Sequence, residues 1–161
     1  MTISTPDLCD ANPDQVRVVI GLQWQSFGGR PAFGGPLETV RCFEDNSFVK
    51  RHLQTPGQGK VLVVDGGGSL RHALIGDRIA EMARDHDWAG VIIHGACRDV
   101  NELAKLDIGI FALGSVPIKS VRRGEGQLNI PVNFGGVAFH PGDYVYADSN
   151  GVIVSEQQLG E

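Results

Sequence analysis

An arginine and an aspartate that follow a buried strand are the residues best suited to chemistry in this sequence. Arg98 and Asp99 come shortly after the apolar run Gly90–His94, in the place where ligands bind in open α/β sheets. A guanidinium can clamp a carboxylate or enolate oxygen, and a carboxylate can hold a hard divalent cation. Adjacent residues of a strand point to opposite faces. Arg98 and Asp99 can therefore serve one site only if the strand has ended before them, and Gly95 could provide the bend that ends it. The alternative is a surface Arg and Asp that flank a turn.

A second candidate site is the helix start formed by Gly76, Asp77, Arg78 and Ile79. The first turn of a helix presents unpaired N–H groups and a partial positive charge, so it can bind a carboxylate or a phosphate. Gly76 would let such a ligand approach the backbone closely. The alternative is an ordinary helix start, in which Asp77 only interacts favourably with the helix dipole.

Structural roles explain the other candidate groups better than chemistry does. His94 lies in an apolar run, and Cys97 has no obvious base beside it, so both are expected to pack. Asp65–Gly68 has neither the lysine of a phosphate-binding loop nor the spacing of a dinucleotide fingerprint. Lys119 and Arg122–Arg123 form a modest basic cluster, typical of a solvated loop. No two histidines have the helical spacing of a zinc site.

The order of predicted elements places both candidates beside a parallel sheet. Lys60–Asp65 is a continuous apolar run, typical of a strand buried on both faces. A helix begins at Gly76, and Gly90–His94 is a second buried strand. A short helix at Asn101–Leu106 and a strand at Ile108–Leu113 complete a β-α-β-α-β alternation. Such alternation predicts that at least part of the sheet is parallel.

Further strands surround this core. A strand at Leu37–Phe43 precedes a short helix that runs to Leu53, with Asn46 as its N-cap. The remaining strand-like runs are Val16–Ile20, Gln23–Phe27, Asn129–Phe134, Val137–Phe139, Tyr144–Ala147 and Val152–Val154. Turns rich in Gly, Pro and Asn separate the last four and indicate antiparallel hairpins. The sequence predicts one α/β domain, residues 1–161, with a βαβ core and C-terminal antiparallel hairpins.

Composition narrows the classes of partner. The chain has 161 residues, with 14 Lys and Arg against 19 Asp and Glu and a net charge of -5. This acidic balance argues against direct nucleic-acid binding, which needs a concentrated basic face. No apolar run is long enough to span a bilayer, so no membrane association is expected. Three dispersed cysteines do not form a disulfide framework, and a cytoplasmic location is expected.

Several motifs resemble the RraA-like family, named for the regulator of ribonuclease E activity A. The matching segments are Phe27–Arg30, Val40–Asn46, Val61–Ser69, Asp107–Ile110, Val132–Val137 and Tyr146–Gly151. The resemblance extends from about Asp7 to Glu156 and implies a three-layer swivelling β/β/α domain assembled as a homotrimer. The same superfamily contains class II 4-hydroxy-4-methyl-2-oxoglutarate aldolases.

Those aldolases carry an Asp, twenty further residues and then Arg-Asp, and here residues 78–97 separate Asp77 from Arg98–Asp99. The resemblance implies that Asp99 binds Mg²⁺ or Mn²⁺ directly and that Arg98 binds the keto or enolate oxygen of the substrate. It also implies that backbone N–H groups of residues 76–79 receive the substrate carboxylate, and that Asp77 acts through a metal-bound water.

The activity implied is that of a metal-dependent lyase acting on small 2-oxo acids. Its reactions would be cleavage of 4-hydroxy-4-methyl-2-oxoglutarate and decarboxylation of oxaloacetate. A protein inhibitor that binds ribonuclease E is the rival, because an acidic chain suits a basic, RNA-binding region. A carrier domain without turnover, using His94 or His140, is the third alternative.

Overall fold

The computed structural model describes residues 2–160, so the two ends of the predicted domain 1–161 lie outside the described residues. Its elements are α1 (Thr5–Ala11), β1 (Arg17–Val18), β2 (Gln25–Ser26), β3 (Phe33–Arg41), α2 (Ser47–Leu53), β4 (Val61–Asp65), β5 (Ala73–Ile75), α3 (Asp77–Asp85), β6 (Gly90–Cys97), α4 (Val100–Leu103), β7 (Gly109–Ser115), β8 (Gln127–Leu128), β9 (Val132–Phe134), β10 (Val137–Phe139), β11 (Tyr144–Asp148) and β12 (Gly151–Ser155). None of these helices has the length and apolar character needed to cross a membrane.

A parallel block forms the centre of the main sheet. The strand order is β1-β12-β11-β3-β4-β6-β7-β2, with β5 pairing on β6 and β8 on β3. Strands β3, β4, β6 and β7 run parallel, while β11, β12 and β1 are antiparallel. The predicted βαβ core and the C-terminal antiparallel strands are therefore confirmed.

Strand β3 joins the parallel and antiparallel parts of the sheet. Its first half, from Phe33 to Pro36, pairs antiparallel with β11. Its second half, from Leu37 to Arg41, pairs parallel with β4. One strand thus belongs to both parts, and this dual pairing allows the sheet to fold over into two β layers.

The central strand β4 shows why three layers form. Residues Val61 to Val64 are fully buried. Leu62 and Val64 pack in the cluster that contains the apolar faces of α2 and α3, whereas Val61 and Val63 pack against residues of β9 to β12. Alternate residues point to opposite faces of a strand, so a continuous apolar run needs a cover on each side. Helices cover one face and a second β layer covers the other.

The structure changes the bounds of two predicted elements around Arg98 and Asp99. The helix predicted at Asn101–Leu106 is the single turn Val100–Leu103. The strand predicted to end at His94 continues to Cys97 through a register shift between Ile93 and Ala96.

The structure also contains an N-terminal helix, α1, which the sequence pattern did not predict. Ser4 caps it, accepting a hydrogen bond from the N–H of Asp7. Thr5 ties it to the second β layer, since its N–H and hydroxyl both donate to the carboxylate of Asp148, at 2.7 and 2.6 Å.

Candidate active site

Both predicted candidate sites line a single cavity of about 760 Å³, a size typical of small-molecule sites. It opens where β5 and β6 end, at the carboxyl-terminal edge of the parallel strands. The predicted residues that line it are Gly76, Asp77, Arg78, Ile79, Arg98 and Asp99. Its other lining residues are Asn46, Ala73, Ile75, Lys119, Ser120, Val121 and Arg122.

Parallel pairing of β5 with β6 explains why the two segments meet. Ile75, the last residue of β5, is in register with Cys97, the last residue of β6. The residues that follow, Gly76 and Arg98, therefore leave the sheet side by side. The backbone N–H of Arg98 donates to the carbonyl of Ile75 at 3.0 Å, which continues the contact beyond the strands.

The chain turns at Asp99, two residues after β6 ends. Its backbone is left-handed, with φ 61° and ψ 44°, a conformation that Asp tolerates better than most residues. Gly95 was expected to supply the bend, but it lies inside β6. The side chains of Arg98 and Asp99 therefore need not point to opposite faces, because β6 ends at Cys97, before both of them.

The start of α3 is joined directly to Asp99. The N–H of Asp77 donates to Oδ2 of Asp99 at 3.0 Å. A Cβ on Gly76 would lie 2.5 Å from the same oxygen, so the ligand that Gly76 allows to approach is the Asp99 carboxylate. Within residues 2–160 the N–H groups of Arg78 and Ile79 have no hydrogen-bond partner, and they remain available to an anion.

The donor set of this cavity fits magnesium or manganese better than zinc. Residues 2–160 contain no group of three or more His, Cys, Asp or Glu side chains that could hold a metal, whereas zinc sites take three or four such ligands. Magnesium takes one or two carboxylates and completes its shell with water and substrate oxygens. Oδ1 of Asp99 accepts no hydrogen bond from the described residues, so it can coordinate such a cation.

The guanidinium of Arg98 belongs to the cavity that Asp77 and Asp99 also line. It makes a long hydrogen bond, 3.4 Å, from Nη1 to the carbonyl of Pro117. No carboxylate among residues 2–160 forms an ion pair with it. An anionic oxygen in the cavity would therefore be its first charged partner.

Lys119 and Arg122 also line the cavity, although their sequence pattern predicted only a solvated loop. The segment that carries them is attached to β5, because Ala73 N–H donates to the carbonyl of Ile118 at 2.8 Å and Ser120 Oγ donates to the carbonyl of Ala73 at 2.7 Å. No periodicity marks this segment. Its positive charge was the only signal in the sequence.

Asn46 occupies the N-cap position of α2, but its side chain orients Arg122 and does not cap the helix. Arg122 Nε donates to Asn46 Oδ1 at 3.0 Å, and Asn46 Nδ2 donates to the carbonyl of Leu74 at 3.2 Å. The N–H of Ser47 is instead accepted by the carboxylate of Asp45 at 2.9 Å. The N-cap prediction located the helix start correctly, but it missed the role of this side chain in the cavity.

Positive charge exceeds negative charge around the cavity. The acidic side chains are those of Asp77 and Asp99, and the basic ones are those of Arg78, Arg98, Lys119 and Arg122. Low-dielectric walls concentrate the field of such a set. The cavity therefore favours a small ligand with more than one negative charge.

Neither Cys97 nor His94 competes as a catalytic group at this cavity. Burial raises the pKa of Cys97 to about 12, which keeps the thiol protonated and poorly nucleophilic. The ring of His94 stacks on Phe134 at 4.6 Å, and its Nδ1 lies 3.3 Å from the carboxylate of Asp65. Burial alone would raise the pKa of Asp65, but hydrogen bonds from His94 and the N–H of Gly67 outweigh it and lower that pKa.

The whole chain has close relatives among known proteins. A protein of Alcanivorax borkumensis named "Putative 4-hydroxy-4-methyl-2-oxoglutarate aldolase" is 68% identical over 159 residues, which cover 99% of each chain. A protein of Ectopseudomonas mendocina with the same name is 56% identical over 155 residues, or 96% of this chain and 95% of the relative.

Two solved structures share the fold and carry other names. The S-adenosylmethionine:2-dimethylmenaquinone methyltransferase of Geobacillus kaustophilus HTA426 is 48% identical, with a TM-score of 0.95 and coverage of 98% and 97% of the two chains. The RNA-processing inhibitor RraA of Thermus thermophilis is 41% identical, with a TM-score of 0.94 and coverage of 99% and 96%. The predicted fold class is confirmed by this similarity.

The chain also matches a family model over most of its length. The model named RraA-like and described as Aldolase/RraA matches residues 5–154, a range that includes every residue of the cavity. Together with the 68% identical relative, this match establishes that the chain belongs to the RraA-like family.

Proposed function

We propose that this protein is a divalent-cation-dependent lyase that releases pyruvate from 2-oxo acids. The reactions would be retro-aldol cleavage of 4-hydroxy-4-methyl-2-oxoglutarate and decarboxylation of oxaloacetate. The observation that carries the proposal is the convergence of Arg98, Asp99 and the start of α3 on one positively charged cavity. The names of the two aldolase-like relatives support it.

The start of α3 would bind the carboxylate next to the keto group. Arg78 and Ile79 present N–H groups without partners in the described chain, and the helix dipole adds a partial positive charge at this end. These donors are fixed before the substrate arrives, because α3 packs on the sheet through Ile79, Ala80 and Ala83. The substrate thus becomes oriented without reorganisation of the protein.

Arg98 would stabilise the charge that develops during cleavage. When the bond between C3 and C4 of the substrate breaks, its electron pair moves into the C2–C3 bond and places negative charge on the keto oxygen. A positioned guanidinium stabilises that oxygen in the transition state more than in the ground state. Both reactions produce the same pyruvate enolate, which takes up a proton at C3 to become pyruvate, so one cationic group can serve both.

Asp99 and Asp77 would have different roles, one in holding a cation and the other in accepting a proton. A bound Mg²⁺ or Mn²⁺ would supply Lewis-acid stabilisation of the negative charge that develops on the substrate. Asp99 would hold this cation, with its orientation fixed by the N–H of Asp77. We assign to the Asp77 carboxylate, the other acidic group of the cavity, the proton that leaves the C4 hydroxyl in the aldol reaction, transferred directly or through one water.

The experiment is a coupled assay for pyruvate with purified protein, magnesium and either substrate. We expect turnover that EDTA abolishes and that Arg98→Ala lowers by about 10²–10³. Arg123→Ala removes the same charge outside the cavity and should retain activity. Activity that survives both EDTA and Arg98→Ala would exclude the mechanism.

A regulatory role in RNA decay is the second candidate, favoured by the likeness to the RNA-processing inhibitor RraA. In that role the protein would bind ribonuclease E, and the net charge of -5 would favour a basic region of the endonuclease. A pull-down with ribonuclease E at graded salt would test it. Absence of binding at low ionic strength would remove this candidate.

A further inference from the structure

We propose that Arg122 selects substrates that carry a second carboxylate, by pairing with the carboxylate remote from the 2-oxo group. The inference rests on the proposed function, since it concerns the far end of a substrate bound in the same cavity. It assigns a role to a residue outside the Asp77 and Arg98–Asp99 set.

The first observation is the way in which Arg122 is held. Its Nε donates to Oδ1 of Asn46, whose residue is only 6% exposed and whose amide is anchored on the carbonyl of Leu74. Only Nε is used, so Nη1 and Nη2 have no partner among the described residues. These two nitrogens form the edge of a guanidinium that binds a carboxylate through two parallel hydrogen bonds.

The second observation is that the backbone next to Arg122 is also fixed. Oδ2 of Asp45 accepts the N–H of Arg123 at 2.7 Å and the N–H of Glu125 at 3.2 Å. Asp45 is itself only 4% exposed and is tied to the start of α2 through Ser47. A guanidinium held at its Nε and next to an anchored backbone loses little conformational entropy when it binds.

The third observation concerns the charge of Arg122. Arg122 forms no ion pair within residues 2–160, although it shares the cavity with Asp77 and Asp99. The start of α3 and Arg98 suffice for the carboxylate and keto group of the pyruvate unit. A second anionic group would then give Arg122 its missing partner.

The consequence is discrimination between substrates. A 2-oxo acid that lacks the second carboxylate would leave Arg122 without a partner, whereas a dicarboxylate would gain a charge-assisted pair. One such pair changes affinity by about tenfold or more. The pair forms in the ground state as well as in the transition state, so its removal should raise KM more than it lowers kcat.

Isothermal titration in the presence of magnesium tests the inference without turnover. The probes are 2-oxoglutarate and 2-oxovalerate, which have the same chain length and differ in the second carboxylate. Wild-type protein should bind 2-oxoglutarate about tenfold more tightly or better. Arg122→Gln should remove this preference and leave the affinity for 2-oxovalerate unchanged, while Arg122→Lys should restore part of it.

Arg123→Gln is the matched control, because it removes the same charge from the next residue, whose side chain does not line the cavity. This variant should keep the preference. Two results would overturn the role of Arg122: equal affinity of the wild type for the two probes, or a preference that survives Arg122→Gln. If oxaloacetate is still cleaved, the proposed function stands and only this inference fails. A wild type that releases no pyruvate from any substrate would overturn the proposed function and this inference with it.

Discussion

The N–H of Asp77 and Oδ2 of Asp99 lie 3.0 Å apart and join the first residue of α3 to the turn after β6. This hydrogen bond makes one site of two segments that the sequence separates by residues 78–97. It also fixes one oxygen of the Asp99 carboxylate, so that the other can serve a cation. The geometry of the site therefore depends on this contact.

Gly76→Ala should damage the site while preserving the fold. The new methyl group would lie 2.5 Å from Oδ2 of Asp99, so the carboxylate must move away from the N–H of Asp77. A displacement of about 1 Å can lower turnover about 10²-fold. We expect weaker Mn²⁺ binding by electron paramagnetic resonance, together with this loss of pyruvate release.

Gly114→Ala is the control for that substitution. Its Cβ would meet only Leu70, at 3.7 Å, which is an ordinary van der Waals contact. This variant should bind Mn²⁺ and turn over substrate as the wild type does. If both variants lose activity equally, the effect is not specific to the contact at Asp99.

Asp45→Asn should make the protein less stable in a pH-dependent way. Burial opposes ionisation of Asp45, but hydrogen bonds from Ser47, Arg123 and Glu125 outweigh it and lower its pKa. An amide nitrogen cannot accept the N–H groups of Arg123 and Glu125, so unfolding free energy should fall by about 1–3 kcal/mol at pH 7.

The sign of this pH dependence follows from the lowered pKa. The stabilisation is complete above the ordinary aspartate pKa of about 3.9 and is lost as the pH falls through the lower, folded value. Urea unfolding should therefore give a constant difference between wild type and variant from about pH 5 to 8 and a shrinking difference in more acidic solution. A difference that grows on acidification would contradict the assignment.

The buried thiols should be unreactive in the native protein. Burial raises the pKa of Cys42 and of Cys97 to about 12, so neither forms a thiolate near pH 8. A thiol-reactive disulfide reagent should modify only the partly exposed Cys9 before unfolding and should leave pyruvate release intact. Rapid modification of Cys97 in the folded protein, with loss of activity, would contradict this expectation and favour a thiol nucleophile.

The sequence predicts the buried framework of this protein well. Val61–Val64 and Val91–Ile93 are apolar without interruption, and the structure buries both faces of these strands. The helix start at Gly76 and the Arg98–Asp99 pair after a buried strand were also singled out from the sequence, and the structure brings them to one cavity. The periodicity and apolar content of a segment suffice to predict its buried strands, because they depend on the residues of that segment alone.

Long-range contacts account for what sequence patterns missed. Asn46 has the side chain of an N-cap, yet it binds Leu74 and Arg122, which are distant in the chain. The bend expected at Gly95 occurs at Asp99, because a register shift lets β6 continue past the glycine. The homotrimer, the cytoplasmic location and the roles of individual site residues stay predictions.

Asp99→Asn provides the most direct test of the lyase proposal. The amide oxygen of Asn can still accept the N–H of Asp77, and Asn also tolerates the left-handed backbone at this position, so the fold should persist while the negative charge is lost. The measurement is pyruvate release from 4-hydroxy-4-methyl-2-oxoglutarate as magnesium is titrated. The account predicts magnesium-dependent turnover by the wild type and, for the variant, at least about a 10²-fold loss with a weakened response to magnesium. Equal turnover by the two proteins, or turnover that does not depend on magnesium, would contradict it.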